Sequence, residues 1–247
     1  MDVYQFIDAK AIALGNTLSV LPGFANPSAY AFYSSTHLSM QYVNRYGVKE
    51  LATYAVQANV PNKYLDAGVY LSRYGFSEYN QLQTSINIYR KLTEYLGLGV
   101  RVNYINLHYG NRKNSSLLTA DIGMCVKPQE NILLSLLLIN PLRTEIKTGG
   151  EKSRTGGFLI IGAKYEIQQN FLVVGEIEKH FIHPFITKIG FQYTPVKELD
   201  IRLGMFGKPF TPSFGIGLYL KPFILDLAFN KHPVLGYESV CGLQFNF

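Results

Sequence analysis

From position 37 to the end of the chain, apolar residues recur at every second position in successive segments separated by short polar connections. Period two is the mark of strands, because successive side chains of an extended backbone point to opposite faces. In the first segment Leu38, Met40 and Tyr42 alternate with Ser39 and Gln41; in the second Tyr54, Val56, Ala58 and Val60 alternate with Thr53, Ala55, Gln57 and Asn59. The same rule sets Leu98, Val100, Val102 and Tyr104 against Gly99, Arg101, Asn103 and Ile105. Carried along the chain, the pattern predicts fourteen strands, over 37–45, 50–60, 64–73, 80–90, 95–108, 116–126, 131–140, 156–165, 171–178, 184–193, 199–206, 211–220, 222–229 and 237–247.

Alternation alone leaves two architectures open, a soluble sandwich with its apolar faces turned inward and a membrane barrel with them turned outward. The charges separate them. Asp66, Arg101, Asp121, Lys188, Asp200, Arg202, Asp226 and Glu238 all fall on the polar parity of their strands, and the other parity is nearly charge-free. A water-facing sheet would be dense in Lys and Glu. This parity instead carries Gly, Ser, Asn, Gln and isolated charges of both signs, as a packed polar lumen does. The expected fold is all-β, a 14-stranded antiparallel transmembrane β-barrel. The eight lumen charges are expected to form a polar network: mixed signs in a low-dielectric interior pair more often than they mark a transport path or anchor an internal segment.

Composition narrows the choice further. The 247 residues are 47% apolar and only 16% charged, with 14% aromatic residues and 22 Gly. That excludes a disordered chain and suits strands. Helical spans are excluded too, since Gly15, Pro22 and Pro27 break the charge-free stretch from Ala11 to Asn44, and the apolar run Ile132 to Ile139 is too short. A closed barrel is then the structure left that satisfies every backbone donor in lipid. Cys125 falls on the inward parity and Cys241 on the outward one, so no disulfide is expected between them.

The last segment places Tyr237, Cys241, Leu243, Phe245 and Phe247 on one face and ends on an aromatic residue. It resembles the final strand of bacterial outer-membrane barrels, and the resemblance implies that Phe245 and Phe247 belong to an assembly signal. Residues 1–36 do not alternate. There Ala11, Ala13, Leu14 and Gly15 are followed by Ala25-Asn26-Pro27-Ser28-Ala29. This succession is similar to the N-terminal region of the FadL superfamily, and more narrowly to the PorV/PorQ-type barrels of Bacteroidota type IX secretion systems. Where that family has Ala-Leu-Gly-Gly-Ala, this chain reads Ala13-Leu14-Gly15-Asn16-Thr17. The resemblance implies a plug over residues 1–36, with Gly15, Asn26 and Pro27 as its motif, inside a barrel formed by 37–247. Inward glycines at 97, 99, 123, 204, 215 and 217 leave room beside the wall for such a segment.

An even strand count puts both termini on one side, expected to be the periplasm, with the long connection Pro141 to Thr155 outside. Lys and Arg gather on that outer rim, among them Arg112, Lys113, Arg143, Lys147, Lys152 and Arg154, so the +6 net charge of the chain belongs to one end. An anionic partner is expected there, first of all lipopolysaccharide phosphates in the outer-membrane lipid. No nucleic-acid-binding motif accompanies the charge.

Three functional classes remain. A transporter of hydrophobic compounds should have a connected apolar lumen and a gap in the wall. An accessory subunit of an outer-membrane export or assembly complex should be plugged and expose a surface to other outer-membrane or periplasmic proteins. A lipid-modifying enzyme should bring His, Ser and an acid together at the membrane edge. His108, His180, His183 and His232 lie near the rim, yet no nucleophile motif accompanies them, and no catalytic, metal or cofactor site is assigned. Short outer loops, mixed lumen charges and the N-terminal resemblance favour the accessory role, with FadL-type transport as the alternative.

Overall fold

Strands that are oily on one face and polar on the other reach a stable arrangement only when neighbours agree on which face is which, because a slip of one residue turns every side chain over. The computed structural model meets that requirement around a full ring. It describes residues 6–33, 35–110, 114–148, 151–181, 184–207 and 210–247, without the side chains of 147, 148, 151 and 152. The strands are β1 His37–Arg45, β2 Val48–Val60, β3 Asp66–Gly75, β4 Tyr79–Lys91, β5 Leu96–Tyr109, β6 Ser115–Gln129, β7 Ile132–Ile139 and β8 Glu145–Thr148. They continue with β9 Glu151–Arg154, β10 Phe158–Gln168, β11 Phe171–His180, β12 Phe185–Val196, β13 Leu199–Phe206, β14 Thr211–Leu220, β15 Phe223–His232 and β16 Gly236–Asn246. Fourteen of them form a closed antiparallel barrel, sealed by β1 against β16 from His37↔Asn246 to Arg45↔Glu238.

The faces are inverted relative to a water-soluble protein. Outward Met40, Leu71, Ile86 and Val100 are 51%, 49%, 53% and 49% exposed, whereas inward Gln83, Ser85, Asn87 and Asn103 are at most 1% exposed. An apolar outer belt around a polar interior is the arrangement that hydrocarbon stabilises. Register shifts occur where β1 meets β2, β6 meets β7, β10 meets β11 and β12 meets β13. The ladders on both sides of β3 run without one. Cys125 is buried, Cys241 is exposed and both are free thiols.

One connection departs from the sequence expectation. The segment between β7 and β10 is not simply a loop, because β8 and β9 pair as a separate hairpin from Glu145↔Arg154 to Thr148↔Glu151. Ile146, 2% exposed, packs with inward-facing Ile105, Leu107 and Leu117 of β5 and β6, so the hairpin leans over that end of the barrel. Asn140 ties its base: Nδ2 donates to Thr155 Oγ1 at 2.7 Å, and Thr155 N donates to Thr144 O at 3.1 Å. This is the hairpin end; the other, where β1 begins and β16 ends, is the terminal end.

The residues before β1 form a single turn of helix, α1 Ala9–Ala13, and a 3-10 turn at Ala29–Phe32. Asp8 caps α1 by accepting from Ala11 N at 2.9 Å. Five residues are too few for a helix to hold itself together in isolation; α1 is held by contacts with β13, β14, β15 and β16. Elsewhere in the segment Phe24 stacks on Tyr70 of β3 at 5.1 Å between ring centres, and Tyr30 Oη lies 2.9 Å from His37 Nε2 of β1. Glycines on the inward parity permit this approach. A Cβ at Gly99 would fall 2.5 Å from the Pro27 carbonyl oxygen, and one at Gly204 would collide with the backbone of Leu14 and Gly15.

Candidate functional site

The interior is organised around cations that face the N-terminal segment. Arg101 on β5 and Asp121 on β6 are ladder partners, and neither side chain is exposed at all. Asp121 Oδ2 accepts from Arg101 Nε at 2.9 Å, from Arg101 Nη2 at 2.7 Å and from Asn103 Nδ2 at 2.7 Å. Its Oδ1 accepts from the backbone N of Asn140 at 2.9 Å, at the base of the hairpin segment. The remaining guanidinium nitrogen of Arg101 donates to the carbonyls of Phe24 and Ala25, and the Phe6 ring centre lies 3.8 Å from Cζ. A buried ion pair offsets its desolvation only when the leftover donors and acceptors are satisfied. Here the N-terminal segment supplies the acceptors.

A second cluster centres on Arg202 of β13. Its Nη2 lies 2.7 Å from Asp200 Oδ2, and its Nη1 pairs with Asp226 of β15. Asp226 is two strands away, and the guanidinium reaches it across β14 because Gly215 and Gly217 carry no side chain: a Cβ at Gly217 would sit 2.8 Å from Asp226 Oδ1. Tyr219 Oη and Thr194 Oγ1 donate to Asp200 at 2.7 and 2.6 Å.

The third cluster, on β11 and β12, combines Lys188 with Glu178 at 2.8 Å and Glu176 at 3.5 Å. Lys188 also donates to Asn16 O at 2.9 Å, Glu176 accepts from the backbone N of Ser19, and His180 Nε2 lies 2.6 Å from Glu178 Oε1. A fourth pair joins Arg45 to Glu238 at 3.4 Å.

Seven of the eight predicted lumen charges therefore enter ion pairs, grouped among the described residues around Arg101, Arg202, Lys188 and Arg45. Asp66 stands apart, accepting from Asn62 N at 2.8 Å in the β2–β3 connection. The sequence reading missed Glu176, Glu178 and Arg45 as partners. Glu176 and Glu178 share the inward parity, which their alternation with Gly175 and Ile177 could have signalled.

Of the predicted plug motif, Gly15 has φ +74° and donates to Ser213 Oγ at 3.0 Å. Asn26 is fully buried, with Nδ2 donating to Ser19 O at 2.6 Å, and Pro27 O accepts from Asn87 Nδ2 at 3.2 Å. Phe245 and Phe247 stack edge-on at 4.6 Å beside Phe223. Of the rim residues, Arg112 and Lys113 lie outside the described residues, as do the side chains of Lys147 and Lys152. Arg154 pairs across the hairpin with Glu145 at 3.5 Å, and Arg143 lies 5.9 Å from the centre of the Phe181 ring. His183 also lies outside the described residues, and among those described no three His, Cys, Asp or Glu side chains form a metal site.

A cavity of about 380 Å³ opens within the lumen toward the hairpin end. Its wall mixes apolar Phe6, Ile12, Ile139, Phe158, Ile160 and Phe206 with polar Arg45, Glu238, Glu178, His180 and Lys188; Phe158 and His180, Ile160 and Glu178, and Phe206 and Lys188 are ladder partners. The oily inward face of β7 serves twice: Leu137 packs with Phe158 and Ile160, with Phe6 of the N-terminal segment against them, and Ile139 lines the cavity. At the terminal end a second cavity, of about 280 Å³, has polar Lys10, Lys164, Tyr33, Gln192 and Thr194 and apolar Leu21, Phe171 and Leu172 among its lining.

No protein-family model matches the chain, and no curated protein matches it in sequence. Solved structures do match it. The Pseudomonas putida toluene transporter TodX superposes with a TM-score of 0.68 at 13% identity, covering 100% of this chain and 98% of that one. A Pseudomonas aeruginosa FadL homologue gives a TM-score of 0.69 at 10% identity, over 100% and 99%. The Acinetobacter baumannii outer-membrane protein Omp33 gives 0.55 at 10% identity, over 86% and 97%. The fold is thus that of the FadL-type outer-membrane barrels. The narrower likeness to PorV/PorQ-type barrels and to Bacteroidota finds no support among these neighbours.

Proposed function

We propose that this chain is a bacterial outer-membrane barrel that passes small hydrophobic molecules, with residues 6–33 as the plug that governs the passage. The observation that carries the reading is the half-apolar lumen cavity beside Phe6, Ile12 and Leu18 of the N-terminal segment: a solute resting there touches the wall and the plug together. Concave sites that combine hydrophobic side chains with placed polar groups are where small molecules bind, and this cavity offers both kinds of surface. The FadL-like fold, shared with a toluene transporter, supports the same assignment. Both termini are placed in the periplasm and the hairpin end outward, since the longer connection belongs outside. The basic rim then faces lipopolysaccharide. No chemical step is assigned to the barrel.

The accessory-subunit reading rests on short outer loops, mixed lumen charges and the N-terminal resemblance, and no structural neighbour named above supports it. The two are separated by reconstitution. Proteoliposomes holding the barrel should take up a radiolabelled monoaromatic hydrocarbon faster than protein-free vesicles, and Ile160→Asp, which replaces an apolar part of the cavity wall by a second acid beside Glu178, should abolish the difference. Uptake equal to that of empty vesicles, with recovery of the barrel in a larger envelope complex, would reverse the assignment.

A further inference from the structure

The outward surface of the barrel carries a depression over β10, β11 and β12. Ladder pairing sets Leu134, Ala163, Gly175, Ile189 and Met205 side by side on the outward parity of β7, β10, β11, β12 and β13. The flanking rows are large: Leu136, Ile161 and Ile177 toward the hairpin end, Tyr165, Val173 and Phe191 toward the terminal end. The small pair Ala163 and Gly175 therefore forms the floor of a groove of about 880 Å³, walled by Met124, Leu134, Ile161, Ile177, Ile189 and Met205. Beneath it the backbone pairing of β7, β10, β11 and β12 is unbroken from Ile161 to Tyr165, so the groove is a seat on the wall and not a portal through it.

Packing does not account for Gly175. The inward glycines are pressed by neighbours, as at Gly99 and Gly204, but a Cβ at Gly175 would meet nothing nearer than the Lys188 carbonyl oxygen at 3.8 Å. Glycine inside a strand weakens it, and it recurs where something else approaches the backbone closely. Here the space it leaves opens outward, where hydrocarbon lies. Along the same face, beyond Ile177, stands Lys179, whose ammonium lies 4.8 Å from the centre of the Phe185 ring at the hairpin-end rim. Four residues of extended strand separate Gly175 from Lys179, a span of about 13 Å. An apolar trough that runs toward a cation at the head-group level matches a lipid with an acyl tail and a phosphate.

We propose that this groove holds one acyl tail of lipid A, the phosphate-bearing anchor of lipopolysaccharide, with a phosphate at Lys179. The inference rests on the outer-membrane location and on the hairpin end facing outward, but not on transport. The barrel, purified in mild detergent and stripped of lipid, is titrated with lipid A and read by native mass spectrometry. Gly175→Leu and Ala163→Phe, which fill the trough, should each lower lipid A occupancy about tenfold, and Lys179→Gln should lower it severalfold. Ala67→Leu, an outward change on β3, should leave it unaltered. Heat-modifiable migration on gels confirms that each variant is folded. Undiminished occupancy in both filled variants overturns the proposal. So does equal retention of phosphatidylethanolamine by the unaltered barrel. Sidedness is read separately: a cysteine placed at Leu142, 86% exposed at the hairpin end, should react with a membrane-impermeant maleimide on intact cells. Labelling without lipid A binding sinks the groove alone; failure to label sinks the orientation.

Discussion

Arg101 and Lys188 perform the same task in different sectors of the lumen, each donating to backbone carbonyls of the N-terminal segment, yet their surroundings differ. Arg101 is sealed: its side chain and that of Asp121 have no exposure, and Phe6 covers the guanidinium. Lys188 is buried as well, but it borders the lumen cavity and divides its charge between Glu176 and Glu178, the latter 13% exposed and shared with His180. A guanidinium offers donors in a fixed fork, so one Arg can hold a carboxylate and two carbonyls in a single geometry. An ammonium on a flexible stem can turn among several acceptors. The contrast suggests a division of labour in which the β5–β6 side fixes residues 24 and 25 while the β11–β12 side holds residues 16 to 19 in a way a solute in the cavity can disturb.

The largest expected effect breaks the sealed side. Arg101→Met leaves the Asp121 carboxylate buried without its cation and strips the carbonyls of Phe24 and Ala25 of their donor. Removing one partner of a buried pair costs about 3–5 kcal/mol. Urea unfolding in detergent micelles should show a loss of that size. The double variant Arg101→Met with Asp121→Leu, which removes both charges, should recover part of it. A loss below about 1 kcal/mol for the single variant would place the pair among those that contribute little.

How much of this was readable in advance follows the range of each interaction. Strand parity is local, since Leu38, Met40 and Tyr42 declare their face without reference to any other strand, and so the barrel strands were legible. The hairpin was not: β8 and β9 have four residues each, and Ile146 alone in a run of charge does not make a period. Pairing among the lumen charges depends on register between strands. Arg101 and Asp121 are ladder neighbours, but Arg202 reaches Asp226 over the bare backbone of β14, which no single-strand pattern reveals. Glu176 and Glu178 follow Leu172 and Val174 on the same inward face, so β11 begins as oil on both sides and declares a parity only in its second half, where the acids alternate with Gly175 and Ile177. That the two acids seat Lys188 depends on the register between β11 and β12.

An intermediate effect is expected on the adjustable side. Lys188→Met leaves Glu176 and Glu178 to His180 and to water in the cavity, so the loss should fall to about 1–3 kcal/mol, the range for an unsatisfied buried group. Its informative readout is conduction. With Asn16 no longer held by Lys188, single-channel recordings in planar bilayers should show more frequent openings than the unaltered barrel. An Arg101→Met barrel that opened as readily, with Lys188→Met silent, would exchange the roles of the two sides.

The smallest effect calibrates the other two. Arg45 and Glu238 meet at 3.4 Å at the hairpin-end mouth of the same cavity, with side chains 22% and 16% exposed. Water reaches both. Partly exposed pairs contribute about 1 kcal/mol or less and weaken as salt rises. Arg45 also donates to Thr53 Oγ1 at 2.5 Å and lies 5.4 Å from the centre of the Tyr74 ring, so the single variant Arg45→Gln removes more than the pair. A double-mutant cycle with Glu238→Gln isolates the pairwise part. A coupling that shrinks between low and high salt marks an interaction screened by solvent. A coupling as large as that between Arg101 and Asp121, and insensitive to salt, would mean that the mouth is as dry as the sealed seat, and the contrast between the two sides of the lumen would lose its physical basis.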